Sequence, residues 1–260
     1  MAFCEPAEVI RVTRVTPSMI RVRLRAIGSW SWFADGRGDE RVDLAFPSPG
    51  ETCANVSFFN DEHAGRPTYV PEPPWRHYTI RSVHDRGRKF EVDFVAHEGG
   101  IASKWAESAR PGHMLGVFRG SKVSRPHHVP PLDTRWQLLV ADATGFPGLG
   151  RIVEELPDGA VVHAIVEIPT AEDRQHIETR ARVDWTWLVG PGGLDSQLPA
   201  AVERIDLPDG PGYVWVACEA AAARRIRSHL RKVRHQPRER HRAIGFWTAG
   251  RVGHDGRDVE

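Results

Sequence analysis

The sequence withholds most of the features that would force an early reading. Only three cysteines occur among 260 residues, Cys4, Cys53 and Cys218. They lack the paired spacing of a zinc site or a disulfide framework, which fits a reducing compartment, and the expected location is cytoplasmic. The N-terminus shows no basic region followed by an apolar one, and nowhere do about eighteen apolar residues run together. No membrane insertion is expected. Net charge is also scarce, a formal +1 at pH 7, so no general field argues for nucleic acid as a partner, and any polyanion site has to be a local patch. Internal repeats and low-complexity tracts are absent as well.

What is present has ordinary globular composition, 40% hydrophobic and 27% charged residues, on a chain long enough for two compact domains. Near the start, Ile20, Val22 and Leu24 alternate with Arg21, Arg23 and Arg25, the period-two pattern of a strand with one wet face. Phe90, Val92 and Phe94 alternate in the same way with Glu91 and Asp93. Pro- and Gly-rich stretches at 47–50 and 71–74 punctuate this half. The pattern predicts an N-terminal antiparallel β-barrel over residues 1–130.

Beyond Pro130 the texture changes. Short apolar runs at 138–140, 161–166, 187–189 and 213–217 suit strands covered on both faces. Helical spacing from Leu149 to Leu156 and from Glu219 to Val233 separates or follows them. Strands alternating with helices predict an α/β domain with a parallel sheet over residues 131–260.

Two constellations in the first half carry chemistry. Arg76-His77-Tyr78-Thr79-Ile80-Arg81 opens a strand, so Arg76, Tyr78 and Ile80 face one way and His77, Thr79 and Arg81 the other. A flavin ring asks for an aromatic plane, a donor near its reactive nitrogen, and positive charge for the attached diphosphate. The same residues also suit an ordinary barrel strand with solvated arginines. His97-Glu98-Gly99-Gly100-Ile101-Ala102-Ser103-Lys104-Trp105 follows the next strand. Strand, glycines and helix start together make an anion-binding geometry, although a Gly-Gly turn with a Ser cap is also a common structural device.

In order, Arg-x-Tyr-Thr-x-Arg at 76–81, Asp-Phe-Val-x-His at 93–97, Ala-Ser-x-Trp-Ala at 102–106 and Arg-Pro-Gly at 110–112 resemble the siderophore-interacting proteins, a branch of the ferredoxin-reductase-like flavoproteins. The resemblance continues through Leu138–Thr144, Pro147, Tyr213-Val214-Trp215, Glu219-Ala220, Arg227 and Gly245-Phe246-Trp247. It implies FAD as cofactor, with Arg76, Tyr78 and Thr79 holding the flavin, Tyr78 stacking on the ring and Thr79 near its N5 edge. His77 and Arg81 join the same set. It further implies His97, Ala102 and Ser103 at the pyrophosphate and ribityl region, with Trp105 as a helix-packing residue.

Ala141-Asp142-Ala143-Thr144-Gly145 follows the first strand of the α/β half, and the carboxyl end of a parallel strand is where such folds bind ligands. By the resemblance, Asp142 and Thr144 would meet NADPH or NADH as electron donor. The usual Gly-Asp-Glu-Thr-Ala of the family is altered here at 141, 143 and 145, and Cys218 and Thr248 also depart from its pattern. Glu167 closes the second strand where an acid can bind an adenine ribose, whereas Arg174, Arg224, Arg225 and Arg227 are candidates for a 2′-phosphate.

Ferric siderophores are commonly anionic, and Arg119, Lys122 and Arg125 form the best local cluster for a substrate. His127-His128 lacks a third ligand at recognisable spacing and is assigned to a surface linker, so no protein metal site is expected. The leading expectation is a flavin-dependent ferric-siderophore reductase supplied by NAD(P)H or a ferredoxin. Outer-sphere electron transfer requires no acid–base residue, so none is nominated. The alternatives are a flavoprotein recruited to biosynthetic chemistry on a small organic substrate, and a non-catalytic siderophore-binding module.

Overall fold

The computed structural model describes residues 3–33, 38–60, 73–119 and 126–251. The chain divides into two compact units, Met1–Gly36 with Glu40–Arg125, and Arg37–Asp39 with Pro126–Glu260. None of the described helices is long and apolar enough to cross a membrane.

The first unit is a closed barrel of β1 (Phe3–Thr16), β2 (Met19–Ala26), β3 (Arg41–Ala45), β4 (Trp75–His84), β5 (Lys89–Val95) and β6 (Met114–Arg119), with a short helix α1 (Ser57–Asn60) and a longer one, α2 (Ile101–Ser108). Neighbours run in the order β1-β2-β5-β4-β3-β6, and every pairing is antiparallel. The alternation read from the sequence fills its core: Ile20, Val22 and Leu24 of β2 meet Phe90, Val92 and Phe94 of β5, with Leu44, Ile80 and Leu115.

The opposite face is drier than the alternation predicts. Register sets Arg21 against Asp93 and Arg23 against Glu91. Arg21 grips Asp93 through two nitrogens at 2.7 and 2.8 Å, and Arg23 Nε donates to Glu91 at 2.8 Å. Asp93 and Glu91 keep only 4% and 8% of their surface exposed. Burial would raise the Glu91 carboxyl, yet the bonds from Ser82 and Arg23 hold it below its ordinary value. Cross-strand pairing of opposite charges has closed a surface that period two alone reads as solvated.

The second unit is a five-stranded sheet, entirely parallel, in the order β11-β10-β7-β8-β9. Its elements are β7 (Trp136–Asp142), α3 (Phe146–Glu155), β8 (Val161–Ile168), β9 (Arg182–Val189), α4 (Leu198–Arg204), β10 (Gly212–Glu219), α5 (Ala220–Lys232) and β11 (His241–Trp247). One face carries α3 through Phe146, Leu149, Ile152 and Val153, and the other carries α4 and α5 through Leu198, Val202, Ala223, Ile226 and Leu230. Covered on both sides, β7 and β10 are buried along their whole length, which is why they read as unbroken apolar runs.

Two local expectations change. The run at 187–189 belongs to β9, which lies at the sheet edge and alternates exposed Arg182, Asp184 and Thr186 with half-buried Val183, Trp185 and Trp187. An edge strand needs one dry face, not two. His127 and His128 are not a free surface linker either. Both amides donate to Asp39 Oδ2, at 2.9 and 2.6 Å, and the Trp215 indole donates to the same oxygen at 3.1 Å. The His128 ring bonds Gln137 at 2.6 Å and stands edge-on to Tyr213.

Burial pushes His128 below its ordinary value against the opposing Gln137 bond, and burial pushes His241 the same way against its bond to Pro237. In the unfolded chain both take up protons near pH 6.5. The unfolded state therefore binds more protons than the folded one just below that pH, and stability falls as pH drops. We expect the thermal midpoint of the protein to decline from about pH 7 towards pH 5, and the slope to flatten in a His128→Asn, His241→Asn variant. A slope unchanged in the double variant would remove these histidines as its cause.

Candidate functional site

In the first unit the site residues gather where β4, β5 and the start of α2 meet. Tyr78 is half-buried and packs on the barrel core, its ring 4.5 Å from Phe94 and 6.2 Å from Phe46 between centroids. Burial raises its phenol well above the usual value, so the ring stays neutral. Arg76, on the same side of the strand, donates Nη1 to the Trp75 carbonyl at 2.6 Å.

The other side of β4 is occupied by protein contacts. His77 Nδ1 bonds the Asp43 carboxylate, and its ring meets Trp75 at 5.2 Å. Thr79 is buried. Arg81 sits at a bulge, where Ile80 pairs with Val92 and Ser82 with Glu91. Its Nε lies 3.9 Å from Asp93 Oδ2, so the charge expected to meet a diphosphate faces a carboxylate already held by Arg21. His77 and Arg81 are thus brought to the same strand as Tyr78 but not to the same face.

The glycine turn follows β5. Gly99 adopts φ +90°, and Gly100 caps α2; a Cβ on Gly100 would come within 2.5 Å of the His97 ring. Any larger residue there would make the exposed His97 ring move aside. Ser103, 2% exposed, is spent locally: its Oγ accepts from His97 N and donates to His97 O, both at 2.8 Å. This pair of bonds clamps the turn, where the sequence had offered the hydroxyl to a ligand. Ala102 puts its methyl group into the barrel core. The first in-helix bond is Lys104 N to Gly100 O at 3.0 Å, which leaves the amides of Ile101, Ala102 and Ser103 at the helix mouth.

These two segments converge. Phe94 touches Tyr78 and lies 5.5 Å from Trp105 of α2, and Phe46 is also 5.5 Å from Trp105. An aromatic face beside a helix mouth suits a ring joined to a diphosphate. The indole Nε1 of Trp105 is buried and meets no acceptor among the described residues. An unmet donor in that position fits a cofactor rich in acceptor oxygens and nitrogens. Trp105 packs in the barrel core as the sequence reading has it, and the unmet indole donor is a feature that reading did not anticipate. Of the substrate cluster, Lys122 and Arg125 lie outside the described residues, as does the side chain of Arg119.

In the second unit the strand ends carry buried acids. Asp142 Oδ1 accepts from Thr144 N, Thr144 Oγ1 and Gly145 N at 2.9, 2.6 and 3.2 Å. Its Oδ2 accepts from Glu219 N and the Trp247 indole at 2.9 and 2.8 Å. Burial pushes this carboxyl up against the pull of those donors. One side chain thereby ties the ends of β7, β10 and β11 and orders the turn into α3. Gly145 is required there, since a Cβ would lie 2.1 Å from the Ala217 carbonyl.

Glu167, 2% exposed, accepts from Ser196 Oγ at 2.6 Å and Gln197 N at 2.8 Å. It pins the loop after β9 and is not an open ribose ligand. Of the arginines considered for a 2′-phosphate, Arg225 pairs with Glu203 at 2.9 Å. Arg227, with burial first and Arg231 and Arg224 beside it, is held below its usual value. Arg174 is exposed after a short 3-10 turn. Among the described residues no group of three His, Cys, Asp or Glu could hold a metal ion.

An antiparallel barrel followed by a parallel α/β unit is the architecture of the ferredoxin reductases. The ferredoxin reductase of carbazole 1,9a-dioxygenase shares it with a TM-score of 0.62 at 16% identity, over 95% of this chain and 70% of that one. The chain itself belongs to the siderophore-interacting protein family. The model for the siderophore-interacting FAD-binding domain matches residues 8–122, and that for the siderophore-interacting protein matches residues 134–250. A siderophore utilization protein from T. fusca superposes with a TM-score of 0.80 at 29% identity, covering 98% of this chain and 96% of that one.

Among named relatives, the NADPH-dependent ferric-chelate reductase of Escherichia coli is 28% identical over 93% of this chain and 91% of its own length. The ferric vibriobactin reductase ViuB of Vibrio cholerae is 26% identical over 94% and 89%. The mycobactin import ATP-binding/permease protein IrtA of Mycobacterium tuberculosis is 28% identical over 95% of this chain, which spans only 26% of that protein.

Asp142→Ala would strand five donors at the strand ends, each unmet bond costing on the order of 1 kcal/mol or more. We expect a loss of about 3 kcal/mol or more in urea unfolding. A loss below about 1 kcal/mol would mean that water satisfies the donors and that Asp142 does not hold the strand ends together.

Proposed function

We propose that this protein reduces the ferric ion of a siderophore with electrons from NADPH or NADH, using FAD held in the barrel unit. The observation that carries the reading is the convergence of Tyr78, Phe94 and the α2 mouth within a unit matched by an FAD-binding family model. When bound, FAD supplies the exchange between a two-electron donor and a one-electron acceptor. The substrate is released because oxygen ligands hold Fe(II) less tightly than Fe(III).

The chain's own residues bind and orient. Tyr78 offers its neutral ring as the stacking surface, and Phe94 and Phe46 behind it fix the tilt of that ring. Arg76 brings positive charge to the same side of β4, and Thr79 borders that edge of the strand. The amides of Ile101, Ala102 and Ser103 face a diphosphate with the positive end of the α2 dipole. Ser103 and His97 act by holding the turn in shape. Arg119, Lys122 and Arg125 are the proposed cationic landing site for an anionic ferric chelate, with iron remaining coordinated by the chelator.

In the second unit Asp142 and Thr144 shape the turn on which a nicotinamide nucleotide would rest. The Thr144 and Gly145 amides already serve the Asp142 carboxylate, so these residues act there by holding the turn in shape.

Purified protein is expected to be yellow, to bleach anaerobically with NADPH, NADH or a reduced ferredoxin, and to recover its colour when a ferric chelate is added, with Fe(II) appearing in step. Bleaching without reoxidation by any ferric chelate would sink the iron reading and leave a flavoprotein of other chemistry. For the site, an Arg76→Ala, Tyr78→Ala variant is expected to lose its flavin on gel filtration. A variant that stays fully yellow would overturn the assignment to β4.

A further inference from the structure

Among the described residues, Trp105 is the one tryptophan whose buried indole N–H meets no acceptor. The N–H groups of Trp30, Trp32, Trp136, Trp215 and Trp247 each reach an acceptor, at 3.0, 2.8, 3.2, 3.1 and 2.8 Å. That of Trp105 is buried and unmet among the described residues. The side chain is no loosely held surface ring. Only 8% of the residue is exposed, and Phe94 and Phe46 hold the ring from two directions at 5.5 Å.

Filling that aromatic slot does not require a nitrogen; phenylalanine would pack against the same rings without burying an unpaired donor. The donor is therefore explained by an acceptor that arrives with a ligand. Its location narrows the ligand. Trp105 stands on the first turns of α2, two residues beyond Ser103, and shares Phe94 and Phe46 with Tyr78. It thus belongs to the helix whose mouth is proposed for the diphosphate and shares its packing partners with the ring proposed to stack on the flavin.

We propose that the Trp105 indole N–H is a hydrogen-bond donor to bound FAD. The inference rests on the cofactor reading above and adds a binding residue to it. Trp105 serves two states differently: in the cofactor-free protein it packs the barrel end at the cost of an unmade bond, and in the loaded protein that bond is made.

This difference is measurable without turnover. In Trp105→Phe the cofactor-free protein loses the stranded donor but gains the void left by the smaller ring, so its melting temperature is expected to fall less, relative to wild type, than that of the FAD-loaded protein. Its dissociation constant for FAD, read by quenching of flavin fluorescence, is expected to rise about three- to tenfold, the loss of one hydrogen bond. FAD should then raise the melting temperature of the variant less than that of wild type.

An unchanged dissociation constant overturns the proposal and assigns the N–H to a buried water. So does an equal loss of stability with and without FAD, which is what packing alone would give. If the phenylalanine variant does not fold, 3-benzothienylalanine at position 105 replaces the N–H by sulfur in a ring of nearly the same shape, and the same outcomes decide. Wild-type protein that binds no FAD would overturn the cofactor reading as a whole; wild type that binds with an indifferent Trp105 variant overturns this inference alone.

Discussion

Phe94 joins the two parts of the barrel unit proposed to hold the flavin. Its ring contacts Tyr78 from β4 and Trp105 from α2, and its backbone lies one residue short of the end of β5. A strand residue that packs a neighbouring strand's ring and a following helix at once sets the distance between a stacking surface and a helix mouth. Such packing tolerates little change in volume, so the spacing is fixed by the core and not by the loop. Ser103 then needs only to hold the intervening turn, which it does through both bonds to His97.

The second unit solves a different problem with the same economy. Parallel strands end together, and at that edge buried carboxylates on β7, β8 and β10 would be costly without donors. Asp142, Glu167 and Glu219 each take backbone amides from a neighbouring loop or helix start. The acids therefore order the loops where α/β sheets receive ligands, and the loops satisfy the acids. Cys218 lies among these groups, and burial, then Asp142, Glu219 and Glu167, raise its thiol well above its usual value. It is a small core residue there, and its thiol is held in the protonated form.

How much of this was legible follows from the range of the physics involved. Alternation of apolar and charged residues reports on a strand's immediate neighbours, so β2 and β5 were readable, as were the strands covered on both faces. Periodicity says nothing of what lies across a strand. Hence the charged face of β5 read as wet, although Arg21 and Arg23 pair with its acids. It also cannot see an edge, which is why β9 read as covered. Motif resemblance pointed to β4 and the α2 turn, which the core brings into contact through Phe94, but whether a polar side chain is free for a ligand depends on partners distant in sequence. His77 has Asp43, Arg81 has Asp93, and Glu167 has Ser196 and Gln197.

The sequence by itself determined the two-part architecture and the family, because these rest on local patterns and on the order of short motifs. Only the tertiary structure decided which donors and acceptors in those segments are already paired. A hydrogen bond is satisfied by whatever the fold brings within about 3 Å, and that proximity is a property of packing, not of spacing along the chain. By that measure Asp142 and Ser103 are structural clamps, whereas the indole N–H of Trp105 has no acceptor among the described residues.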